Sequence, residues 1–435
     1  MRGTRRFLLP LVAALALFTT PSGRAIALDD GGATPVARPG SEAASNRDLS
    51  RSELRAELAE HLSGAGGASG AWVYDTEASG DPLLFGDQAD VRRIPASNEK
   101  LFTTAAFLDA LGPDERLHTR AYTRGKLAGH GRSVLKGDLV LVGDGDPAFG
   151  TTRFARAHDQ PVTRVAELAR NVAAKGVKRV TGRVLADDSI FDRERRSGPD
   201  LSPLSGLSFN DGYDGGDYAR APELIAAERL RKALIKRGVQ VAGRVGRANL
   251  TPAALERDPL AEVASTTAAR LIEETNVPSN NFFAEMLLKR LAAVGGRRGT
   301  RDRGAREVED FARSAGTNVK ASDGSGLSRH NGVSPQEVGK LLAAMEDDAK
   351  LGEAFVDSLP IAGREGTVAD RMRGTAAEGN CATKTGTLSD VSALSGYCVA
   401  GGHTIAFSIL NNSVDVNAAR VAQDRMAAAI ARYNP

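Results

Sequence analysis

Hydrophobic spacing divides the chain into helix-rich flanks around a strand-rich middle. In the first flank, the segment LSRSELRAELAEHL repeats leucine every four residues, which predicts a helix capped by Ser50 or Ser52. The run LFTTAAFL after Lys100 is apolar almost all round and predicts a buried helix that ends at Gly112. From Leu260 onward, helical spacing predicts four long helices in the segments LAEVASTTAARLIEET, NNFFAEMLLKRLAAV, GAREVEDFARSAG and SPQEVGKLLAAMEDD.

Between these flanks the chain changes to short segments separated by Gly/Asp-rich turns. Strands are predicted in TRAYTRGKL, VLKGDLVLVG, KRVTGRVLADD and VQVAGRVG, and helices in TRVAELARNVAAKG and APELIAAERLRKALIKRG. Near the end, CATKTG, LSGYCVAGG and TIAFSILN predict three strands before a final helix from about Asp415. We therefore expect an α+β fold in which residues 51–112 and 258–435 form one domain. A strand-rich insertion at 113–257 interrupts it and forms one or two extra domains.

The N-terminus has the layout of an export signal. MRGTRR supplies basic residues, FLLPLVAALALF an apolar stretch and AIA a cleavage site, so residues 1–27 are predicted to be removed. The apolar stretch is short for a membrane span and contains Pro10, although a retained anchor stays an alternative. Paired arginines at Arg5 and Arg6 leave twin-arginine export open. Residues 28–50, which lack hydrophobic periodicity, are predicted to be a flexible linker.

The length and charge of the chain limit the classes of protein to which it can belong. A chain of 435 residues is expected to form two or three domains. The formal net charge is only +3, and aromatic residues make up 5% of the chain without a dense Lys/Arg stripe, which argues against nucleic-acid binding. No segment beyond the signal is long and apolar enough to cross a bilayer. We expect an exported protein of the periplasm or extracytoplasmic cell envelope.

Two cysteines, Cys381 and Cys398, lie on predicted neighbouring antiparallel strands. They are placed about symmetrically around GTLSDVSAL, and in an oxidising compartment they can form a disulfide. Because cross-strand bridges are geometrically demanding, two separately buried thiols stay an alternative.

The first candidate for chemistry is the stretch PASNEK, in which Lys100 follows Ser97 by one helical turn. At a helix N-terminus the serine hydroxyl lies in a positive field, and the side chain three residues on faces the same way. A partly desolvated lysine there can lose its proton and act as a base toward the serine. Serine is also a favoured helix cap, so the spacing alone is weak. Ser133 and Lys136 have the same spacing inside a predicted strand, where the two side chains point to opposite faces.

A second candidate is KTG at residues 384–386, inside a predicted strand. Lys384, Thr385 and Thr387 can hold a carboxylate, and Gly386 removes a side chain that would block its approach. A backbone N–H of this strand and the N–H of Ser97 can together form an oxyanion hole.

Serine followed two residues later by asparagine occurs at two candidate places. Ser208 and Asn210 lie in a Gly/Asp-rich loop of the predicted insertion, whereas Ser279 and Asn281 join two amphipathic helices of the second flank. A loop between helices can direct its polar groups into a cleft. We therefore prefer Ser279 and Asn281 and interpret Ser208 as a turn residue.

Taken in order, S-x-x-K on a buried helix, S-x-N between helices and K-T-G on a late strand form the motif set of penicillin-binding proteins and serine β-lactamases. The chain resembles more closely the D-alanyl-D-alanine carboxypeptidases/endopeptidases of the class C low-molecular-mass penicillin-binding protein type. The similar blocks, from about Gly70 to about Asn411, are PASNEKLFTTAA, LVLVGDGDPAF, VLADDSIFD, PSNNFFAEMLLK, DGSGLSRHN, REGTVADRM and TKTGTLSDVSALSGY. The insertion is itself a feature of that family, and the resemblance implies a β-lactamase/transpeptidase-like fold.

Carried over by position, the resemblance implies a cofactor-free serine D,D-peptidase. Ser97 would attack the D-Ala-D-Ala carbonyl and form an acyl-enzyme, and Lys100 would take the serine proton. Ser279 would relay a proton to the leaving D-alanine nitrogen, with Lys384 supporting it electrostatically. Asn281 would orient the substrate amide and the side chain of Lys100.

The resemblance also implies how substrate is held. Thr385 and Thr387 would bind the terminal carboxylate, while the N–H groups of Ser97 and Thr387 form the oxyanion hole. Asp188 and Arg329 look like residues that contact a diaminopimelate-like stem side chain. The implied ligands are peptidoglycan stem peptides and, as covalent inhibitors, β-lactam antibiotics.

Other functions fit the sequence less well. A class A β-lactamase needs a glutamate in an E-x-x-L-N context, which neither Glu337 nor Glu353 has. A non-enzymatic wall-binding protein would be expected to have lost motif residues, and none is lost. The six histidines are scattered without an HExxH motif, so no metal site is expected. GDGDPAFG lacks the remaining features of a phosphate-binding loop and is interpreted as a turn.

Overall fold

The computed structural model describes residues 47–196, 202–215 and 217–435. The predicted export signal and the predicted linker up to residue 46 lie outside the described residues. Within the described ranges, no helix combines the length and apolar character needed to cross a bilayer.

The helices of the described residues are, in chain order, α1 (Arg51–Gly64), α2 (Glu99–Leu111), α3 (Thr152–His158), α4 (Val165–Ala174), α5 (Pro222–Lys236), α6 (Pro252–Leu255), α7 (Ala268–Asn276), α8 (Asn281–Ala292), α9 (Arg301–Ser314), α10 (Pro335–Asp347), α11 (Gly352–Asp357) and α12 (Val416–Ile430). The strands are β1 (Ala68–Asp75), β2 (Leu83–Asp87), β3 (Arg116–Ala128), β4 (Val134–Val142), β5 (Phe149–Gly150), β6 (Thr163–Arg164), β7 (Arg179–Val180), β8 (Val184–Asp187), β9 (Tyr213–Asp214), β10 (Asp217–Tyr218), β11 (Gln240–Val241), β12 (Gly246–Arg247), β13 (Ala261–Thr267), β14 (Cys381–Leu388), β15 (Val391–Ala400) and β16 (His403–Asn412).

A five-stranded antiparallel sheet has the order β14-β15-β16-β1-β2 and carries helices on both faces. Ile405 packs into a core with α1 and α12, whereas its neighbour Ala406 packs into a core with α2, α8 and α10. This division follows from the strand geometry, because successive side chains point to opposite faces. The predicted α+β fold with a helix-flanked antiparallel sheet is confirmed.

The folded part begins slightly before the predicted end of the linker at residue 50. Leu49 is buried, and its backbone pairs with Arg432 and Asn434 near the C-terminus. Ser50 caps α1 and forms a capping box with Glu53, so the first of the two predicted cap residues is the one used.

A second sheet has the order β11-β7-β4-β3-β13, with β8 paired to β4 and β12 paired to β8. It contains parallel pairs, such as β4 with β8, beside the antiparallel pair of β3 and β4. Leu168 of α4 and Leu230 of α5 lie in the core of this sheet. The strand-rich region predicted between the helical flanks is therefore present, although its division from the first domain stays a prediction.

The prediction of a single helix over the segment LAEVASTTAARLIEET is wrong for the first half of the segment. Strand β13 occupies Ala261–Thr267 and pairs with β3, so the second sheet extends beyond the predicted boundary at residue 258. The burial of alternate residues Ala261, Val263 and Ser265 has the period of a strand. Thr267 then caps α7, which is the helical half of the segment.

The KTG strand is linked covalently to its neighbour. Cys381 and Cys398 face each other across β14 and β15 and are joined by a disulfide, so the bonded alternative is the one found. Lys384 lies three residues further along the same strand. The register of this hairpin thus places the KTG residues directly beside the start of α2.

Candidate active site

Ser97 lies in a short 3-10 turn, Ala96–Asn98, that leads directly into α2. The sequence predicted Ser97 at the start of the helix. In the structure Ser97 lies two residues before α2, in a 3-10 turn that continues into the helix. Ala96 has a positive φ of 48°, a conformation that non-glycine residues rarely adopt. Asn98 donates from Nδ2 to the carbonyl oxygen of Lys384 at 2.9 Å, which ties the turn to β14.

Lys100 is completely buried, and its Nζ contacts three oxygen atoms. These are Ser97 Oγ at 3.0 Å, Asn281 Oδ1 at 2.7 Å and the Ser325 carbonyl at 2.6 Å. A neutral amine has two N–H groups and one lone pair. The amide and carbonyl oxygens can only accept, so they take both N–H groups and leave the lone pair for the Ser97 O–H.

The electrostatic surroundings favour this neutral form. Burial lowers the pKa of Lys100 to about 7, against an opposing effect of Asp323, Glu285 and Glu99. The neighbouring carboxylates therefore limit the pKa shift without cancelling it.

Lys384 is the second completely buried lysine of the site. Its Nζ donates to Ser279 Oγ at 2.9 Å and to the Thr385 carbonyl at 3.0 Å. Burial, and secondly the charge of Lys100, hold the pKa of Lys384 well below its usual value. The two lysines thus each contact one of the two serines chosen from the sequence.

The loop between α7 and α8 presents Ser279 and Asn281. Asn280 caps α8 by accepting from the Phe283 N–H, which places Asn281 in the first helical turn. Ser279 has a positive φ of 61° in the tight turn that closes α7. The alternative pair lies elsewhere: Asn210 accepts from the Thr151 backbone in the second-sheet region.

Two glycines let backbone segments pack against the Ser97 turn. A Cβ on Gly386 would lie 2.7 Å from the Pro95 carbonyl oxygen and 3.1 Å from Ser97 N. A Cβ on Gly326 would lie 1.9 Å from the Ala96 carbonyl oxygen. Any larger residue at these positions would displace β14, or the loop that contains Ser325 and Gly326, from the Ser97 turn.

The threonines after Lys384 lie along the open end of β14. Thr385 Oγ1 donates to Thr367 Oγ1 at 2.7 Å, and Thr387 is exposed. Arg420 donates from its guanidinium to Thr387 Oγ1 at 3.1 Å. The sequence reasoning missed Arg420, because α12 lies 33 residues further along the chain.

Asp188 and Arg329 already have partners within the protein. Asp188 accepts from Arg195 at 2.8 Å and from Ser205 at 2.9 Å in the second-sheet region. Arg329 donates to Ser389 Oγ at 2.9 Å and forms an ion pair with Asp390, just after β14. In the described residues neither contacts Ser97, and their role toward a stem peptide stays a prediction.

Two acidic residues behind Lys100, Glu285 and Asp323, were not predicted from the sequence. Glu285 accepts from the N–H groups of Gly324 and Ser325, and thereby fixes the carbonyl that Lys100 contacts. Asp323 accepts from Gly326 N in the same loop. A single glutamate in the apolar run FFAEMLL was the available signal for Glu285.

Glu99, between the two motif residues, is completely buried. Neither of its carboxyl oxygens has a hydrogen-bond partner among the described residues. Burial, reinforced by Asp323, Glu309 and Glu285, raises the pKa of Glu99 well above its usual value. Burial therefore favours the protonated, neutral form of this carboxyl group over its ionised form.

Comparison with known proteins identifies a family whose profile matches this chain. The profile of the D-Ala-D-Ala carboxypeptidase 3 (S13) family matches residues 54–203 and 218–433. The D-alanyl-D-alanine carboxypeptidase of Actinomadura sp. is 31% identical, over 85% of this chain and 82% of its own. Carboxypeptidase DacB of Mycolicibacterium smegmatis is 29% identical, over 82% of this chain and 79% of its own.

Solved structures show the same fold. Penicillin binding protein 4 (dacB) from Haemophilus influenzae is 20% identical with a TM-score of 0.70, and the match covers 85% of this chain and 97% of that one. A predatory peptidoglycan endopeptidase from Bdellovibrio bacteriovorus is 17% identical with a TM-score of 0.51, over 79% and 86% of the two chains. The resemblance seen in the sequence is confirmed: with Lys100 in contact with Ser97 and Lys384 in contact with Ser279, this chain belongs to the D-Ala-D-Ala carboxypeptidase 3 (S13) family.

Proposed function

We propose that the chain is a serine D,D-peptidase that uses Ser97 to attack the carbonyl of a D-alanyl-D-alanine bond in peptidoglycan stem peptides. The observation that carries the proposal is the contact of the buried Lys100 amine with Ser97 Oγ at 3.0 Å. An amine whose pKa is lowered to about 7 is a base at neutral pH, and it lies within reach of the proton it must take.

The first half-reaction forms an acyl-enzyme. Ser97 Oγ bonds to the substrate carbonyl carbon while its proton passes to Lys100 Nζ, and the carbonyl oxygen becomes an oxyanion. The N–H groups of Ser97 and Thr387 stabilise that oxygen. When the carbon–nitrogen bond breaks, Ser279 donates its proton to the leaving D-alanine nitrogen and regains one from the neighbouring lysines.

The second half-reaction restores the enzyme. A water molecule loses a proton to the same base and attacks the acyl carbon, and the bond to Ser97 Oγ breaks. The serine oxygen regains a proton and the peptide leaves with a new carboxylate. Asn281, hydrogen-bonded to Lys100, keeps the amine directed at Ser97 through both halves.

The carboxylate of the terminal D-alanine binds beside Thr385 and Thr387. Both hydroxyls lie along β14, and Arg420 adds a positive charge next to Thr387. Gly386 allows this strand to pack closely against the Ser97 turn, which brings the two threonines near the serine. Asp188 and Arg329 are proposed to contact the stem side chain, which requires both to exchange their present ion-pair partners for substrate.

The physiological reaction is proposed to be removal of terminal D-alanine, cleavage of D-alanyl cross-links, or both, during cell-wall remodelling. β-Lactam antibiotics are proposed to acylate Ser97 as covalent inhibitors. The basic and apolar N-terminal segment supports an exported enzyme of the extracytoplasmic envelope.

The decisive experiment is covalent labelling with a fluorescent penicillin. The mature protein should be labelled, and Ser97→Ala should abolish the label. Ser133→Ala is the matched control, because Ser133 has the same spacing to Lys136 but leads into β4. Labelling of the Ser97→Ala variant at the level of the unmodified protein would overturn the assignment.

A second experiment addresses the substrate. The protein is incubated with a diaminopimelate-containing pentapeptide and with cross-linked muropeptide dimers, and released D-alanine and monomers are measured. Turnover of either substrate supports a peptidase. Penicillin labelling without turnover of either would favour a non-enzymatic wall-binding role.

A further inference from the structure

A cavity of about 860 Å³ lies at a distance from Ser97. It is lined by the last residues of α2 and α8, by parts of β3 and β4, and by residues 249–259. The volume is within the range of about 300–1,000 Å³ that is typical of small-molecule sites.

This cavity and the Ser97 site lie at opposite ends of the same two helices. Lys100 is in the first turn of α2, whereas Ala110 and Leu111 at its end line the cavity. Asn281 begins α8, whereas Arg290 in its last turn lines the cavity. At 1.5 Å per residue the two sites are separated by roughly 14–17 Å along the helices.

Positive charge is concentrated around the cavity. Five arginines line it, against two carboxylates: Arg120, Arg257, Arg290, Arg297 and Arg298, with Glu115 and Asp144. Three of the arginines are already ion-paired: Arg120 with Glu262 at 3.2 Å, Arg290 with Asp144 at 3.1 Å and Arg297 with Glu307 at 2.8 Å.

Arg257 and Arg298 are different, because neither forms an ion pair among the described residues. Both residues are exposed, so their guanidinium groups are accessible to a ligand that enters the cavity. Each can donate two parallel hydrogen bonds to a phosphate or carboxylate. A phosphate offers more acceptor oxygens and more charge than one carboxylate, so it matches two free guanidiniums better.

Part of the remaining wall is apolar. Leu111, Val142, Ile190, Leu250 and Val294 line the same cavity. An inorganic anion would fill only a small part of the volume and leave this surface uncovered. The ligand that fits therefore has an organic part as well as an anionic group.

We propose that this cavity binds an organic phosphate, with the phosphate held by Arg257 and Arg298 and the organic part along the apolar wall. The site is separate from the peptidase cleft, and a polyol phosphate or the headgroup of a phospholipid supplies the same chemistry.

Binding is tested with the full mature protein and two probes. Glycerol 3-phosphate is titrated by calorimetry at constant ionic strength, and vesicles of phosphatidylglycerol are compared with vesicles of phosphatidylcholine by co-sedimentation. Saturable binding of glycerol 3-phosphate identifies a soluble source. Binding only to phosphatidylglycerol identifies a lipid source.

The double variant Arg257→Gln/Arg298→Gln should bind the active probe at least about tenfold more weakly, because it loses both charge-assisted contacts. The control Arg153→Gln/Arg244→Gln removes the same charge from exposed arginines outside the cavity and should bind within twofold of the unmodified protein. Penicillin labelling verifies that each variant is folded, and the single variants serve if the double one is not.

Two results would overturn the proposal. One is the absence of saturable binding of either probe to the unmodified protein. The other is equal weakening in the cavity variant and in the control, which would show that only overall charge matters.

Discussion

A buried lysine lies at each end of helix α8, and the two lysines have opposite electrostatic surroundings. At the first residue, Asn281 contacts Lys100, whose Nζ meets only neutral oxygen atoms. Near the last turn, Lys289 lies 2.6 Å from the Asp192 carboxylate and 5.9 Å from the centre of the Phe191 ring. Both lysines are almost inaccessible, so burial alone does not separate them.

The difference is a direct carboxylate partner. An ion pair stabilises the ammonium form and offsets its desolvation, as at Lys289. At Lys100 the nearby carboxylates of Glu285 and Asp323 accept from backbone N–H groups instead. We therefore propose that a buried lysine can act as a base where its neighbours are neutral acceptors, as at Lys100, and has a structural role where it is paired with a carboxylate, as at Lys289.

The largest expected effect comes from removing the base. Lys100→Met should slow penicillin labelling of Ser97 about a thousandfold, within the usual range for loss of a general base. Urea unfolding should show only a modest loss of stability, because burial of the amine is relieved but the Asn281 and Ser325 oxygens lose the N–H groups that they accept. Labelling within threefold of the unmodified protein would contradict the comparison.

The next largest effect is the pH dependence of labelling. Lys100 acts only when neutral, so below its pKa of about 7 the rate should fall about tenfold per pH unit, reaching about a hundredfold at pH 5. Burial also raises the pKa of Asp211 to about 7. Asp211→Asn is therefore the matched control, and its labelling rate should still fall below pH 7 as it does in the unmodified protein. A flat profile between pH 5 and 8 would show that another group is the base.

At the other end of α8, Lys289→Met should act on stability and leave chemistry unchanged. It leaves Asp192 without its cation, and because that carboxylate is 22% exposed we expect a loss of about 2 kcal/mol in the free energy of unfolding. Urea unfolding measures this, and penicillin labelling of the folded variant should be unaltered. Loss of labelling without loss of stability would reverse the roles assigned to the two lysines.

The smallest effect concerns Glu99, the buried carboxyl group beside Lys100. Because its pKa is raised, the folded protein keeps this proton to a higher pH than the unfolded chain does, so stability falls as pH rises above the pKa of the unfolded chain. Glu99→Gln should remove that contribution, about 1 kcal/mol per pH unit, from the slope of unfolding free energy against pH. An unchanged slope would mean that Glu99 is ionised in the folded protein.

Local patterns predicted many of the individual elements of this protein. The apolar run after Lys100, the Ser50 cap and the late strands each depend on neighbours within one helix or hairpin. The helix predicted at Ala261–Thr267 failed because pairing with β3, which lies far away in sequence, decided its conformation. The supporting groups Glu285 and Ser325 O were missed for the same reason.

The sequence by itself determined that Ser97 and Lys100 lie one helical turn apart, and which serine, asparagine and lysine motifs accompany them. Only the tertiary structure decided the surroundings that lower the pKa of Lys100. Its amine meets Asn281 and Ser325, which are 181 and 225 residues away in sequence, and its pKa depends on the water that those segments exclude. Desolvation arises from the packing of distant segments, so no local spacing can specify it.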